Sequence, residues 1–322
     1  METRARLYEL LLKYWGYKEF RPNQLNIIEA VISGKDALGI LATGSGKSIC
    51  YQIPGLFLEG TTLVISPLIA LMKDQIESLK KRNIKAAGLM SGQSFKTQDV
   101  ILDNVIYGDT KFLFVSPERL QSKLFKERLK KIKLGLIAVD EAHCISEWGH
   151  DFRPEYRLIS ELKYTYKNVP FIALTATAKP EVKADILSNL KLFEPYVFVG
   201  SPLRKNIRYC VLETQNKRQK VVEIIRNSKD VSRIIYVDTR KLTMTLQRYI
   251  ESEGYSCVAY HGGMTPKQRE SIINKWNDNQ IRIIIATKAF GMGIDKSDVR
   301  EVIHFTIPES LEAFVQESGR AG

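Results

Sequence analysis

Cysteine is scarce in this 322-residue chain and dispersed: Cys50, Cys144, Cys210 and Cys257 stand far apart, with no C-x-x-C pair among them. That spacing offers neither a zinc site nor a disulfide framework, so no zinc is expected and a reducing compartment fits best. Long apolar runs are missing too. No stretch approaches the ~20 apolar residues of a membrane span. The N-terminus, Met1-Glu2-Thr3-Arg4-Ala5-Arg6, leads into a charged amphipathic segment rather than an apolar signal core. No membrane partner and a cytoplasmic location are therefore expected. Short-period repeats and low-complexity tracts are absent as well. Acidic residues are outnumbered, 36 Asp and Glu against 48 Lys and Arg, which leaves a net charge of +12. Such a surface favours a polyanion, although a basic surface that binds nothing has the same count. The 44% hydrophobic content is enough for two domains with separate cores.

Against this background two separated runs carry chemistry. The first, Ala42-Thr43-Gly44-Ser45-Gly46-Lys47-Ser48, follows the strand-like Ala37 to Leu41 and opens a helix-like segment. Its glycines let backbone N–H groups approach phosphate oxygens at a helix N-terminus. Thr43, Gly44, Ser45, Gly46, Lys47 and Ser48 are the expected nucleotide cradle, with Lys47 reaching the β and γ phosphates and Ser48 supplying a hydroxyl to Mg²⁺. The strict motif has its first glycine where Leu41 stands, so the run alone also reads as a glycine turn. The second run, Asp140-Glu141-Ala142-His143, follows the apolar stretch Leu134 to Val139. Asp140 is expected to hold the same Mg²⁺, and Glu141 is the candidate general base for the attacking water. Carboxylates that open a solvated helix would look the same. Order and spacing favour one nucleotide-binding α/β domain, because the acidic pair follows the glycine loop by roughly 90 residues.

Short apolar strands alternate with amphipathic helices along the chain. Strands are expected at Ala37 to Leu41, Thr62 to Ser66, Lys85 to Leu89, Phe112 to Ser116, Leu134 to Val139 and Phe171 to Thr175. A second series follows at Ile207 to Leu212, Arg233 to Val237, Cys257 to Tyr260, Ile281 to Ala286 and Val302 to Phe305. Helical segments between them are the signature of parallel sheets covered on both faces. The expected fold class is α/β, with lobes over 1–199 and 207–322. The boundary falls at 200–206, where Gly, Pro and charge occur without periodicity.

These residues resemble the two-lobed motor core of a RecQ-family DNA helicase of superfamily two, over essentially the whole chain. Gly16-Tyr17-Lys18-Glu19-Phe20-Arg21-Pro22-Asn23-Gln24 resembles the family's adenine-reading segment, with Asn23 where Gly is usual. By this likeness Tyr17 and Arg21 sandwich the base and Gln24 bonds its N6 and N7. A turn that starts a helix with Pro22 at its first position is the plain alternative. Cys144 to Tyr156 resembles the family's aromatic-rich loop. Its Trp148, His150, Phe152 and Arg153 form a stacking platform with a cation beside it, as single-stranded nucleic acid requires, unless the aromatics simply fill core. Ser66-Pro67 and Ser116-Pro117-Glu118-Arg119 each end a strand and start a helix, where Ser66, Pro67, Ser116 and Arg119 are expected at DNA phosphates or as ordinary caps. Ala173 to Ala178 resembles the motif that couples hydrolysis to movement.

In the second half, Ile234 to Arg240, Thr287 (nucleic acid), Gly291 through Asp295 (nucleotide), and Gln316 and Arg320 (catalysis) match later motifs. His261-Gly262-Gly263 also matches, though a lone His is more often structural. The resemblance implies tandem RecA-like lobes with ATP and Mg²⁺ in the cleft between them. It further implies 3′ to 5′ movement on single-stranded DNA, unwinding of partly duplex DNA in repair and recombination, and a monomer that is nucleoid-associated in a bacterium and nuclear in a eukaryote. The family's last motif continues with a further Arg beyond Gly322, so weak turnover, an ATP- and DNA-binding fragment, or an RNA-directed relative are the alternatives.

Overall fold

The computed structural model describes every residue except 1, 91, 150, 202, 203, 229, 292–295, 297 and 322. It divides into two compact units, Met1–Pro202 and Leu203–Gly322. In the first unit the described residues form seven strands: β1 (Ala37–Ile40), β2 (Thr61–Ile65), β3 (Ala86–Leu89), β4 (Phe112–Val115), β5 (Leu134–Val139), β6 (Phe171–Thr175) and β7 (Tyr196–Val199). All pair in parallel, in the order β3-β4-β2-β5-β6-β1-β7. Successive residues along a strand face opposite sides. Leu63, Leu113, Ile137 and Ala173 therefore build one core, while Val64, Phe112, Ala138 and Ile172 build another on the opposite face. A sheet buried on both faces explains why its strands read as continuous apolar runs. Helices α1 (Glu2–Trp15), α2 (Gln24–Ile32), α3 (Ile49–Phe57), α4 (Ile69–Lys81) and α5 (Phe95–Tyr107) are among those that cover it.

Parallel order brings every strand's carboxyl end to one edge. That edge carries the phosphate loop after β1, Ser66 after β2, Ser116 after β4 and Asp140 after β5. In open α/β sheets this is the edge where ligands bind. The opposite edge is stapled by Asp36, which is buried just before β1. Its carboxylate accepts from Phe171 N at 2.9 Å, Phe193 N at 2.8 Å and Lys163 Nζ at 2.6 Å, joining the starts of β1 and β6 to the approach to β7. A buried charge is tolerable only when paired and hydrogen-bonded in this way.

The second unit holds β8 (Ser232–Tyr236), β9 (Val258–Tyr260), β10 (Ile283–Ala286) and β11 (Val299–His304), parallel and ordered β11-β8-β10-β9. Helices over Lys217–Asn227, Arg240–Ser252, Pro266–Asn277 and Leu311–Ser318 accompany them. Two expectations fail. Ile207 to Leu212 forms no strand: it joins no ladder, Ile207 N instead turning back to Arg204 O at 3.0 Å, and Val211 is 97% exposed. Alternating β-formers do not make a strand unless a ladder is available to accept their N–H groups. Conversely, β7 arises in Tyr196–Val199, a segment assigned no structure from sequence, because β1 offers it a free edge.

Replacing Asp36 with Ala leaves the Lys163 ammonium and two backbone N–H groups without their acceptor. We expect a loss of roughly 3 kcal/mol in urea unfolding. A loss below about 0.5 kcal/mol would show that the staple is not structural.

Candidate nucleotide and nucleic-acid site

The phosphate loop is shaped by Gly44 and Gly46, at φ 75° and 79°. Only glycine adopts this left-handed conformation without steric penalty. The chain then turns into α3, with Ile49 N bonded to Gly46 O at 3.1 Å and Cys50 N to Lys47 O at 2.9 Å. Ser48 stands at the N-cap position, but its side chain makes no capping bond. One turn on, Tyr51 is buried and its hydroxyl donates to Gln75 Oε1 of α4 at 3.4 Å. Lys47 Nζ donates to Leu41 O at 3.3 Å, folding back over the space inside the loop. Ser45 Oγ is buried without a hydrogen-bond partner, and Thr43 lies half-buried beside it.

The segment over 16–24, expected from sequence to read adenine, braces this loop. Arg21 donates its guanidinium to Gly44 O. Gln24 accepts from Arg21 N at 2.9 Å and donates to Ser45 O at 3.1 Å and Gly46 O at 3.0 Å. Both ends of its amide are thus engaged within the chain, while Tyr17 stands 53% exposed. Asn23 sits at φ 70°, immediately before α2. Asn tolerates this region better than most residues, so its replacement of glycine keeps the turn.

At the end of β5, Asp140 N bonds to Ile65 O at 2.9 Å, and Asp140 Oδ1 accepts from Glu141 N at 3.0 Å. Glu141 lies at φ 47°, ψ 48°, an unfavourable conformation for a residue with a side chain, at about 1–3 kcal/mol. It is 8% exposed and its Oε2 has no hydrogen-bond partner. His143 Nδ1 approaches that oxygen to 3.3 Å, while the same ring atom bonds Thr175 Oγ1 at 2.9 Å, and Thr175 Oγ1 donates to Thr177 O at 3.1 Å. The acidic pair is therefore linked to the end of β6. Burial, reinforced by the Glu141 charge and only partly offset by Lys47, pushes the Asp140 carboxyl up to about 7. A carboxylate raised in this way lacks a cation. Among the described residues no cluster of three or more metal-binding side chains exists. A site of one carboxylate and one hydroxyl fits Mg²⁺ brought in on phosphates, since that ion keeps waters and phosphate oxygens as its other ligands.

The aromatic loop leaves this centre directly. Trp148 is 75% exposed, its backbone N–H donating to Ser146 Oγ at 3.2 Å. The Phe152 ring lies under the Arg157 guanidinium, 5.2 Å from its centre, and Arg157 bonds Glu147 at 2.6 Å. Arg153 Nη1 donates to Pro67 O at 3.0 Å and stands 3.9 Å from Glu118. The loop is thereby pinned to the ends of β2 and β4. Ser66, Pro67 and Ser116 are buried at those ends, and Ser66 Oγ has no hydrogen-bond partner. Arg119 is engaged within the lobe, bonding Gln98 Oε1 at 3.0 Å and Met90 O at 2.8 Å. Sequence reading assigned no role to Arg157, which stacks on Phe152, or to the Tyr156 hydroxyl, which donates to Asp140 O at 2.9 Å. Aromatic–Arg spacing across a turn was the available signal for the first.

In the second unit, Thr287 is buried after β10, with its N–H bonded to Tyr260 O at 3.2 Å. Arg320 donates to Gly291 O, bringing the helix Leu311–Ser318, with half-buried Gln316, against the glycine turn. Arg204 supports that helix end through Gly319 O at 3.0 Å. His150, Met292 to Asp295 and Gly322, together with Pro202 and Leu203 of the expected linker, lie outside the described residues.

Known proteins share this arrangement. A DEAD/DEAH box helicase model matches residues 21–185, and a helicase conserved C-terminal domain model matches 216–322. The chain belongs to the DEAD/DEAH box helicase family. Within it the chain is a RecQ-type core. It is 44% identical to the ATP-dependent DNA helicase RecQ of Pasteurella multocida over 98% of this chain and 50% of the relative. It is 42% identical to the probable ATP-dependent DNA helicase RecS of Bacillus subtilis over 99% of this chain and 64% of the relative. The chain thus spans about half to just under two thirds of these relatives. Saccharomyces cerevisiae Dbp5 bound to RNA and ADP BeF3 superposes with a TM-score of 0.77 at 15% identity, covering 98% of this chain and 84% of Dbp5, a likeness of fold.

The raised Asp140 carboxyl penalises the ligand-free native state as pH climbs from the ordinary value of 3.8 to about 7. Below that window the native carboxyl is protonated at no penalty; above it the penalty is complete. Asp140→Asn therefore stabilises the ligand-free protein, by about 1–2 kcal/mol more at pH 8 than at pH 4.5 after discounting for the solvent that still reaches Asp140. Thermal melts at the two pH values check this, and an equal effect at both contradicts it.

Proposed function

We propose that this chain is the motor core of an ATP-dependent DNA helicase, formed by an ATP-binding lobe over 1–199 and a second RecA-like lobe over 207–322. The observation that carries the proposal is the continuity between the Asp140-Glu141 pair, opposite Lys47, and an aromatic loop that Arg153 ties to Pro67. Phosphate chemistry and polynucleotide stacking share one stretch of backbone. The Gly44–Gly46 loop and Lys47 bind the β and γ phosphates, with Thr43 and Ser45 lining the loop. Ser48 and Asp140 hold Mg²⁺, whose chemistry is to neutralise charge on the transferring phosphoryl group. Glu141 is poised to take a proton from the attacking water; its Oε2 makes no hydrogen bond and has only the His143 ring close by, at 3.3 Å. In the second lobe Gln316 and Arg320 serve catalysis and Asp295 serves nucleotide binding, as the family likeness implies. Arg320 adds positive charge where negative charge develops.

Adenine is read by Tyr17, Arg21 and Gln24. Because Gln24 is bonded to the Ser45 and Gly46 carbonyls in the free chain, base recognition exchanges these bonds for bonds to N6 and N7. Single-stranded DNA stacks on Trp148 and Phe152 with His150 and Arg153 beside them, and its phosphates run past Ser66, Pro67, Ser116 and Thr287. Arg119 acts there by holding β3 and α5 in place. Lobe closure and opening then drive 3′ to 5′ steps and unwinding of partly duplex DNA, by a monomer in the nucleoid or nucleus.

Steady-state ATP turnover with and without single-stranded DNA tests this reading. We expect stimulation by DNA above that by RNA, and a fall of about 10²–10³-fold on Glu141→Gln with nucleotide binding retained. Hydrolysis indifferent to both DNA and Glu141 would sink the proposal. Gln24→Ala should narrow the preference for ATP over GTP by roughly tenfold, the worth of one to two lost base contacts; unchanged discrimination would remove Gln24 from base reading.

A further inference from the structure

The amino ends of the first-lobe strands carry a row of cations that the reading above leaves unused. Lys85, Lys111 and Lys133 stand immediately before β3, β4 and β5, Lys35 stands two residues before β1, Lys167 four before β6 and Lys191 five before β7. In sheet order a lysine therefore marks every strand start but that of β2. There Glu59 stands instead, and Lys133 reaches across to it at 2.6 Å. Over the seven approach segments, 33–36, 59–60, 80–85, 109–111, 130–133, 167–170 and 191–195, eleven Lys and Arg stand against four Asp and Glu. That excess is more than half of the chain's net charge of +12, gathered on the edge of the sheet opposite the phosphate loop.

Part of this row answers a local need. Helices that cover a parallel sheet run against it, so their carboxyl ends, with their partial negative charge, gather at this edge. Lys111 meets that need by donating to Leu58 O at 2.9 Å and Gly60 O at 3.3 Å, and Lys85 pairs with Asp109 at 2.5 Å. The remainder exceeds it. Lys35, Lys80, Lys81, Lys131 and Lys167 are exposed and form no side-chain hydrogen bond or ion pair among the described residues. Neighbouring strands lie about 4.8 Å apart, so six spacings spread the cations over about 29 Å. A duplex of about eight or nine base pairs has that length. Strands of four to six residues put the row about 13–20 Å from the carboxyl edge. This is beyond the screening length of about 8–10 Å, so charge bound at one edge does not govern the other.

We propose that this edge is a second nucleic-acid surface, which takes the phosphate backbone of duplex DNA without reading its sequence. Cations repeated from strand to strand match a polymer whose charge is equally regular. A single strand adds stacking to charge, and this edge offers no continuous stacking platform. Of its exposed aromatics, Tyr107 lies near β4 while Phe193 and Tyr164 lie near β7, about five strand spacings away, and the Tyr164 ring is covered by Lys191 Nζ 5.0 Å from its centre. That the polymer is DNA rests on the functional reading above. One lobe then holds single strand at the carboxyl edge of its sheet and duplex at the amino edge.

The test removes three charges along the row in the full chain, Lys35→Gln, Lys81→Gln and Lys131→Gln together, none of them in the site described above. A control variant removes three exposed charges of the second unit, Arg226→Gln, Arg248→Gln and Lys275→Gln. A third carries Lys35→Arg, Lys81→Arg and Lys131→Arg, which keep the charge. Affinity for a blunt duplex of about 20 base pairs is measured between about 50 and about 200 mM salt, with a short oligo-dT present to fill the single-strand site. We expect the row variant to bind duplex at least about tenfold more weakly at the lower salt. The slope of log affinity against log salt should fall in magnitude by about 2–3, the worth of three phosphate contacts. Single-strand affinity and DNA-stimulated ATP turnover should stay within about twofold of the parent. The Arg variant and the control variant should keep the parent's slope.

An unchanged slope in the row variant overturns the proposal. So does an equal loss in the control variant, the mark of bulk charge alone. Poly-L-glutamate that displaces the labelled duplex as well as unlabelled duplex of equal charge would make the row a surface for acidic polypeptide, and overturns it too. Row-dependent duplex binding by a chain whose ATP turnover ignores DNA overturns the functional reading and leaves the row standing. DNA-stimulated turnover without row dependence overturns the row alone.

Discussion

Two adjacent carboxylates at the end of a buried strand are the constraint on which the first lobe depends. Burial and the Glu141 charge both disfavour the Asp140 carboxylate, and Lys47 and the Glu141 backbone N–H offset this only in part. Isolated buried charge is among the least favourable things a fold can hold. The lobe tolerates the pair because its parallel sheet fixes the β5 end rigidly between β2 and β6. Around the pair stand buried polar atoms that make no hydrogen bond: Glu141 Oε2, with the His143 ring 3.3 Å away, and the Ser45 and Ser66 hydroxyls. Stability withheld here is what makes binding favourable.

The support is hydrogen-bonded rather than ionic. Gln24 and Arg21 fix the loop through three of its own carbonyls, and His143 leans on Thr175. Arg153 does the same for the aromatic loop through the Pro67 carbonyl. Neutral or singly charged contacts of this kind are specific in direction, yet each is worth only about 1 kcal/mol and can be exchanged for a ligand's. Functional motifs and scaffold therefore share atoms, which allows one set of residues to be both rigid in the free chain and available to a partner.

Much of this was legible in the amino-acid order. Parallel strands buried on both faces announce themselves as apolar runs, and β5 and β6 begin and end where the pattern places them. Glycine loops and paired acids mark strand ends because the chemistry tolerates few alternatives. Long-range closure is what the order hides. Ile207 to Leu212 has the composition of a strand but finds no ladder, while Tyr196–Val199 gains one from β1. Neither outcome is encoded locally, since both depend on which edge is free after the rest has folded. Within the site, the role of Arg119 as a brace and the stacking of Arg157 on Phe152 turn on contacts 5 to 29 positions apart in sequence. The buried Tyr51 read only as part of an apolar helix, because a hydroxyl's partners on another helix leave no mark on periodicity.

The stretch around Val211 has a further consequence for the molecule in bulk solution. Tyr209, Val211 and Leu212 combine sheet-forming or apolar character with open exposure, most of all Val211, while Tyr209 leans on the Phe314 ring 5.6 Å away. Unladdered backbone of this composition is a template for any similar segment that diffuses past. This stretch therefore favours contact between copies as concentration rises, while the +12 charge keeps copies apart at low ionic strength and loses its reach as salt is added.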